Sequence, residues 1–534
     1  MSRCDLIKKE ITANVDDLIL SQYISIGMEK ERASKIAYYF HDIVVKTSLS
    51  FFMGQTYWFD GKIYVPVDSK ELKVAVFDSM RESAVPVQDL TMQGGKMYSV
   101  IERGFIRNLL FVKKDLICFQ NCILDLNTGE TFEHSRDHHV VNILDYNYDK
   151  TAKCDLWHKF LEKVLPDETS RMVLQEYLGL IFADRSKVKI EKMLFLFGTG
   201  SNGKSVVFET VTGLLGKENV SHFEIRDLTS SGTAQYNVAA IDGKLLNYCS
   251  EIDKAELQGS STKGLISGEP QYARMPYREP WVARNIPLMI ANANELPATS
   301  DHTKGYYRRM LIIPFDVEIK KHEADLELST KLRKEFAGVL NWIFEGRQRM
   351  IDNNYKFTDS MVIDQKLNEY ETESNSTLLF MKDKRYFHSP IYKDQKSYSK
   401  SAGDLFKEYK TWCLDNGLKS FSNKAFSLKI KEKNFICERG RGGMMYVLYD
   451  MPFPSDFNKV ETDISRSAFY NICNYKCGFA SLIEIISILE NTQPTATIEQ
   501  DVDDFEEVAE VEELDINKNL ELPFDESDIK DCPF

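Results

Sequence analysis

No run of about 20 apolar residues occurs anywhere in the 534-residue sequence, which excludes a membrane-spanning helix. The first residues, MSRCDLIKKE, lack the apolar centre of a signal peptide, so the chain is expected to stay in the compartment where it is made. C-x-x-C pairs are missing as well. The ten cysteines are scattered along the chain, which argues against a zinc site and leaves reduced thiols as the default. No internal repeat is present, and tyrosine and tryptophan are absent from the last 36 residues.

The formal charge of −14 looks hostile to nucleic acid until it is located. Residues 499–534 hold 15 Asp/Glu against 2 Lys, a net of −13, which leaves about −1 for everything before them. This last stretch reads as an acidic, disordered tail. Its final residues, Pro533 and Phe534, resemble the tip by which bacterial single-stranded-DNA-binding proteins dock on replication enzymes, so host replication proteins are candidate partners; a solubilising role is the alternative. The remainder, with 43% hydrophobic and 12% aromatic residues overall, has the composition of a globular protein of three or so domains.

One stretch carries chemistry on its own spacing. LFLFGTGSNGKS, Leu194 to Ser205, matches the phosphate-binding pattern G-x-x-x-x-G-K-[ST] across Gly198, Thr199, Gly200, Ser201, Asn202, Gly203, Lys204 and Ser205. Glycines let backbone N–H groups curl around phosphate oxygens, the lysine reaches the β- and γ-phosphates, and the serine hydroxyl can ligand magnesium. Met193 to Phe197 reads as a buried strand and SVVFETVTGLLG as a helix whose amino end faces the anion. ATP and Mg are therefore the expected cofactors.

Downstream, KLLNYCSEID sets Glu251 and Asp253 at the end of a strand candidate, Leu245 to Cys249. A carboxylate at the end of the strand beside a phosphate loop can hold magnesium and orient the attacking water, and Asp253 is the alternative acid. NIPLMIANANELP gives another apolar strand, with Asn294 placed to hydrogen-bond the γ-phosphate or that water. In GYYRRMLIIPF, Arg308 and Arg309 open a third strand, from which an arginine can reach a neighbouring subunit's site.

Around these lie structural segments. TYWF-DG-KIYV signals a two-residue hairpin and CILDL-NTG-ETFEH a second hairpin, both in a small α+β region over residues 1–150. Helical periodicity marks Asp155 to Ala183 and Ser329 to Met350. Residues 402–450 read as two helices and a hairpin, the order of a winged helix. Lys424, Lys429, Lys431 and Lys433 fall on or beside its second helix, and Arg439 and Arg441 at the wing tip, a pattern suited to phosphate contacts or to a solvated face. In KGLISGEPQYARMPYREPW, Lys263, Arg274, Tyr277 and Arg278 combine charge with the stacking faces of Tyr272 and Trp281.

The four motifs, in order between Gly198 and Arg309, resemble the superfamily 3 helicases, in the phage and plasmid primase-helicase branch that includes poxvirus primase-helicases. The resemblance covers roughly Asp155 to Pro390. It implies an α/β fold with an AAA+-like P-loop ATPase core, an α+β N-terminal region, a helical collar and a C-terminal winged helix. Laid on the sequence, these become an N-terminal region 1–150, collar 151–190, ATPase core 191–320, helical extension 321–400, winged helix 401–455 and a partner-binding and acidic tail 456–534.

By the same resemblance, Lys204 belongs to Walker A, Glu251 is the Walker B acid, Ser205 and Glu251 hold the metal, Asn294 is the sensor, and Arg309, with Arg308 as runner-up, is the finger. Lys263, Arg274, Tyr277 and Arg278 fall in the pore hairpin that touches DNA, where Pro276 replaces a frequent lysine. The implied function is an ATP-dependent DNA helicase for replication of a phage or mobile element. It would translocate 3′→5′ on single-stranded or forked DNA as a homo-oligomeric ring, most often a hexamer, in the host cytoplasm. A non-unwinding ATP-switch initiator or loader is the alternative. The N-terminal region has no closely spaced Asp-x-Asp, so a separate primase is expected.

Overall fold

A computed structural model describes residues 2–450 apart from 53–54, 108–109, 111, 186, 230–231, 253–258, 277–279, 298, 300, 389–395 and 441–442. Asp253, Tyr277, Arg278, Arg441 and the acidic tail lie outside the described residues. Among the described residues no helix is long and apolar enough to cross a membrane.

The amino-terminal module packs five helices around a three-stranded antiparallel sheet, Leu49–Phe52, Gln55–Phe59 and Tyr64–Pro66. Its first helix, Arg3–Ala13, opens on a capping box between Ser2 and Asp5, and Asp16 and Asp68 cap the second and fourth helices through their carboxylates. Ile7, Ile36, Phe40, Val76 and Ile101 are fully buried in its core. The Asp60-Gly61 hairpin forms with four residues in its turn rather than two. Phe59 pairs with Tyr64, and the Asp60 carboxylate accepts from the N–H groups of Lys62 and Ile63, a side-chain turn that outcompetes the tighter one.

Residues 116–144 pack on both of their neighbours along the chain. The small sheet Leu116–Cys118, Ile123–Asp125 and Thr131–Phe132 buries Ile117, Phe119 and Leu124 in the same cluster as Trp157, Tyr177, Leu194 and Ile343. On their other side Leu116, Cys118, Ile123 and Val140 pack with Ile63 of the amino-terminal module. Nothing in the sequence of either hairpin tells which core it joins.

The central sheet is five-stranded and wholly parallel. Its strands are β1 (Met193–Phe197), β2 (Val220–Ser221), β3 (Leu246–Cys249), β4 (Leu288–Ala293) and β5 (Met310–Pro314), in spatial order β5-β1-β4-β3-β2. β1, β3, β4 and β5 are almost wholly apolar because both faces are covered, the exceptions being the buried Asn247 of β3 and Asn292 of β4. β3, which leads to Glu251, is thus not adjacent to β1, which leads into the glycine loop. β4 is inserted between them, and short, mostly apolar strands carry no signal of which neighbour each will take.

After β5, the helix Phe336–Asp352 packs on the helix Glu168–Gly179 beside the sheet. The last described unit is a strand Tyr398–Ser401, helices Ala402–Asp415 and Asn423–Glu432, and the antiparallel pair Cys437–Gly440 and Gly443–Asp450. Tyr409 and Phe426 stack at 4.4 Å in its core, and the Tyr409 hydroxyl accepts from the Phe421 N–H.

Candidate active site and nucleic-acid-facing surfaces

β1 ends at Phe197 beside Ala293 of β4 and Pro314 of β5, and the Gly198 N–H donates to the Ala293 carbonyl at 3.0 Å. The loop that follows needs its glycines for two different reasons. A Cβ on Gly198 would lie 2.0 Å from Asn202 Nδ2 and 2.6 Å from the Phe315 carbonyl, a close approach no side chain permits. Gly203 sits at φ +87°, immediately before the helix Lys204–Leu215, where its turn aims the helix's amino end into the loop.

Lys204 is buried at this helix start and folds back on the loop. Its ammonium donates to the Gly198 carbonyl and to Asn202 Oδ1 at 3.1 Å, while Asn202 Nδ2 donates to the Phe315 carbonyl at 2.9 Å. Burial draws the Lys204 amine below its ordinary pKa and the Glu251 charge opposes that shift, which puts the two side chains within electrostatic reach. Ser205 is exposed one residue into the helix.

Asn294 follows β4 directly, and its Nδ2 donates to Glu251 Oε1 at 3.1 Å. The backbone fixes this pairing, since the Ile252 N–H donates to the Asn292 carbonyl at 3.0 Å and so ties the segment after β3 to β4. The carboxyl edge of three neighbouring strands therefore presents a glycine loop with a lysine, then an amide, then a carboxylate. Backbone donors and a cation suit the oxygens of a polyphosphate, and an exposed carboxylate with an exposed hydroxyl suits a hard divalent cation through water. We expect Glu251→Gln to keep nucleotide affinity and lose hydrolysis by roughly 10²–10³-fold, the usual effect of removing one positioned charge from a reacting centre. Single-turnover hydrolysis beside a binding titration checks it; normal turnover would transfer the role to Asp253.

Arg308 and Arg309 sit at the other end of the sheet. Met310 pairs with Met193 at the amino edge, one five-residue strand, roughly 15 Å, away from the phosphate loop. Their surroundings differ. Arg309 keeps only 10% side-chain exposure and is held by Ser267 Oγ (3.1 Å), the Gly305 carbonyl (2.6 Å) and Glu191 Oε1 (3.2 Å). Arg308 is 54% exposed and is paired with Glu191 alone among the described residues. Hydrogen bonding from Arg308 is the largest cause that lowers the Glu191 carboxyl to about 2, so this ion pair persists through the neutral range.

A tyrosine chain connects the two ends. The Tyr370 hydroxyl donates to the Pro297 carbonyl at 2.6 Å, three residues past Asn294, and lies 3.0 Å from the Tyr306 hydroxyl, which must then donate to it. Tyr306 belongs to the short helix Lys304–Tyr307 that delivers Arg308. Glu191 and Tyr370 escaped the sequence reading, and Asn202 was read as part of the loop without a role of its own. Asn202 lies inside the motif at a position the motif leaves open, and the others meet the site only through strand pairing and helix docking.

The residues proposed to touch DNA are dispersed. Arg274 is exposed on the hairpin Gln271–Ala273/Trp281–Ala283, next to Tyr272 at 75% exposure, whereas Trp281 is turned inward to Asp242. Lys263 pairs with Asp301 and donates to Thr303 Oγ1 at 3.4 Å, which occupies its charge within the protein. Lys424, Lys431 and Arg439 are exposed, while Lys429 lies over the Phe421 ring and Lys433 pairs with Glu371 at 2.9 Å.

Comparison with known proteins adds the following. Residues 108–166 match the D5 N-terminal-like family, and residues 196–309, the span from β1 to Arg309, match a family of unknown function, DUF5906. A curated protein of Acanthamoeba polyphaga mimivirus, named a putative helicase, is 29% identical over 243 residues, 43% of this chain. The chain spans 24% of that relative's length. Among solved structures, the apo structure of the NrS-1 C-terminal region is 12% identical and covers 76% of this chain and 96% of that chain at a TM-score of 0.39. An A form of the same region is 14% identical, covering 57% and 79% at a TM-score of 0.32.

Proposed function

We propose that this chain, a member of the phage and viral primase-helicase family by its D5 N-terminal-like segment and its likeness to a viral helicase, is an ATP-driven DNA helicase that works on single strands as a ring. The observation that carries the reading is the row Lys204, Asn294 and Glu251 along adjacent strand ends, with Asn294 hydrogen-bonded to Glu251. In this arrangement the loop N–H groups and Lys204 hold the β- and γ-phosphates, and Glu251 and Asn294 orient the attacking water. Ser205 and Glu251 would hold magnesium, which neutralises charge on the phosphates. The core is then an AAA+-like P-loop ATPase, and residues 398–450 act as a winged helix with Lys424, Lys431 and Arg439 toward DNA.

Arg308, exposed and remote from its own phosphate loop, is the better candidate to enter a neighbouring subunit's site. Arg309, fastened on three sides, positions the segment that carries it. DNA-stimulated ATP hydrolysis together with strand displacement on a forked duplex tests the whole reading. Hydrolysis with stimulation but no displacement would favour a loader or initiator, and no hydrolysis would end both.

Arg274 and Tyr272 make the hairpin the coupling element. Arg274→Ala should spare basal hydrolysis, weaken stimulation by DNA and lower the salt slope of single-strand binding by about 0.7, the share of one phosphate contact. Binding isotherms at several salt concentrations check it; an unchanged slope would assign the phosphate contacts to Lys424 and Arg439.

A further inference from the structure

Between the helices Ser69–Glu82 and Val87–Arg107 of the amino-terminal module runs an open groove of about 480 Å³. Its floor is apolar and wet: Val74 is 50% and Val87 66% exposed, with Phe77 and Leu90 partly buried between them. Lys70, Lys73 and Arg81 line its rim, against one acid, Asp78, which lies 3.6 Å from Arg81. Beneath, Phe77 stacks on Tyr98 at 6.2 Å, and the buried Tyr98 hydroxyl has no hydrogen-bond partner among the described residues.

Such a groove fits a ligand with spaced apolar anchors and flanking negative charge. The chain contains one. DVDDFEEVAEVEELD, Asp501 to Asp515, has nine carboxylates and no cation, and sets Val502, Phe505, Val508, Val511 and Leu514 at every third position. Fifty residues separate it from Asp450, a reach of up to ~170 Å if extended, so chain length does not forbid the contact. Nucleic acid is a poorer match. Its bases need open aromatic faces, whereas Val74, Val87 and Leu90 are aliphatic and Phe77 is stacked on Tyr98 with the Lys73 ammonium 5.9 Å from its ring centre.

We propose that the groove between Ser69–Glu82 and Val87–Arg107 docks this chain's own acidic segment Asp501–Asp515, with aliphatic and Phe505 side chains on the floor and carboxylates facing Lys70, Lys73 and Arg81. The attraction is part hydrophobic and part Coulombic, so salt weakens it without abolishing it. The contact is independent of whether the ATPase site turns over.

The test is zero-length carbodiimide coupling in the full chain, mapped by mass spectrometry. Amide links should join Lys70 or Lys73 to acids within 501–515, and their yield should fall at least fivefold in the Lys70→Glu/Val74→Glu chain. Both positions are exposed, so unchanged circular dichroism is expected, and Val87→Asp on the opposite wall provides a second variant with the same outcome. Links from the acidic segment only to Lys424, Lys431 or Lys263, or an undiminished yield in both variants, overturn the proposal. A yield that grows with protein concentration assigns the groove to the segment of a second copy and overturns the within-chain contact.

Discussion

Lys204→Ala is expected to abolish measurable nucleotide hydrolysis, a loss of at least about 10²–10³-fold, or roughly 3–4 kcal/mol of transition-state stabilisation. Two effects add. The ammonium is the cation placed nearest the glycine loop, and magnesium alone cannot fix the position of a transferring phosphoryl group. Its contacts with the Gly198 carbonyl and Asn202 also hold the loop in shape, while Asn202 is itself tied to the Phe315 carbonyl after β5. Truncation leaves Asn202 Oδ1 without that donor and lets the loop relax. Steady-state phosphate release, with and without single-stranded DNA, checks the result, and a fluorescent nucleotide titration separates lost binding from lost chemistry. Near-wild-type turnover would remove the phosphate-loop assignment and the proposed function with it.

What the sequence made legible is local. The glycine turn between β1 and the helix Lys204–Leu215 could be read because its glycines answer constraints within a few residues, namely the close approach at Gly198 and the positive φ at Gly203. Strand segments showed as apolar runs, and the two helices and hairpin of residues 402–450 showed in periodicity and turn residues. Sheet order did not, because β1, β3, β4 and β5 are all short and mostly apolar and nothing in any one of them names its neighbour. The ion pairs of Lys263 and Lys433 did not either, since a lysine bound to Asp301 or Glu371 has the same sequence context as one left for DNA. Arg308 and Arg309 illustrate the limit most sharply. They are adjacent and chemically identical, and only Glu191 and Ser267, brought in from other segments, bury one and leave the other half exposed.

That difference in exposure makes the last expected result specific. Arg308→Ala should lower hydrolysis by roughly 10³-fold or more if its guanidinium completes a neighbour's site, while folding is little changed because an exposed pair with Glu191 contributes little to stability. Arg309→Ala should instead destabilise the chain, since Ser267, Gly305 and Glu191 all lose a buried partner. The decisive measurement mixes two inactive proteins. In a head-to-tail ring each site takes its loop from one subunit and its arginine from the next, so Lys204→Ala and Arg308→Ala chains mixed equally give about one quarter of interfaces with both parts intact. Hydrolysis should rise from near zero in either protein alone to about that fraction of the unmodified level, provided subunits exchange and sites act independently. Mixing Lys204→Ala with Glu251→Gln should restore nothing, because both residues sit on the same strand ends of one chain and no interface can combine them. Rescue in the second mixture would mean that Lys204 and Glu251 of one site come from different chains, whereas absence of rescue in the first at every ratio, after exchange is demonstrated, would mean that each chain carries a complete site and that Arg308 acts within its own chain.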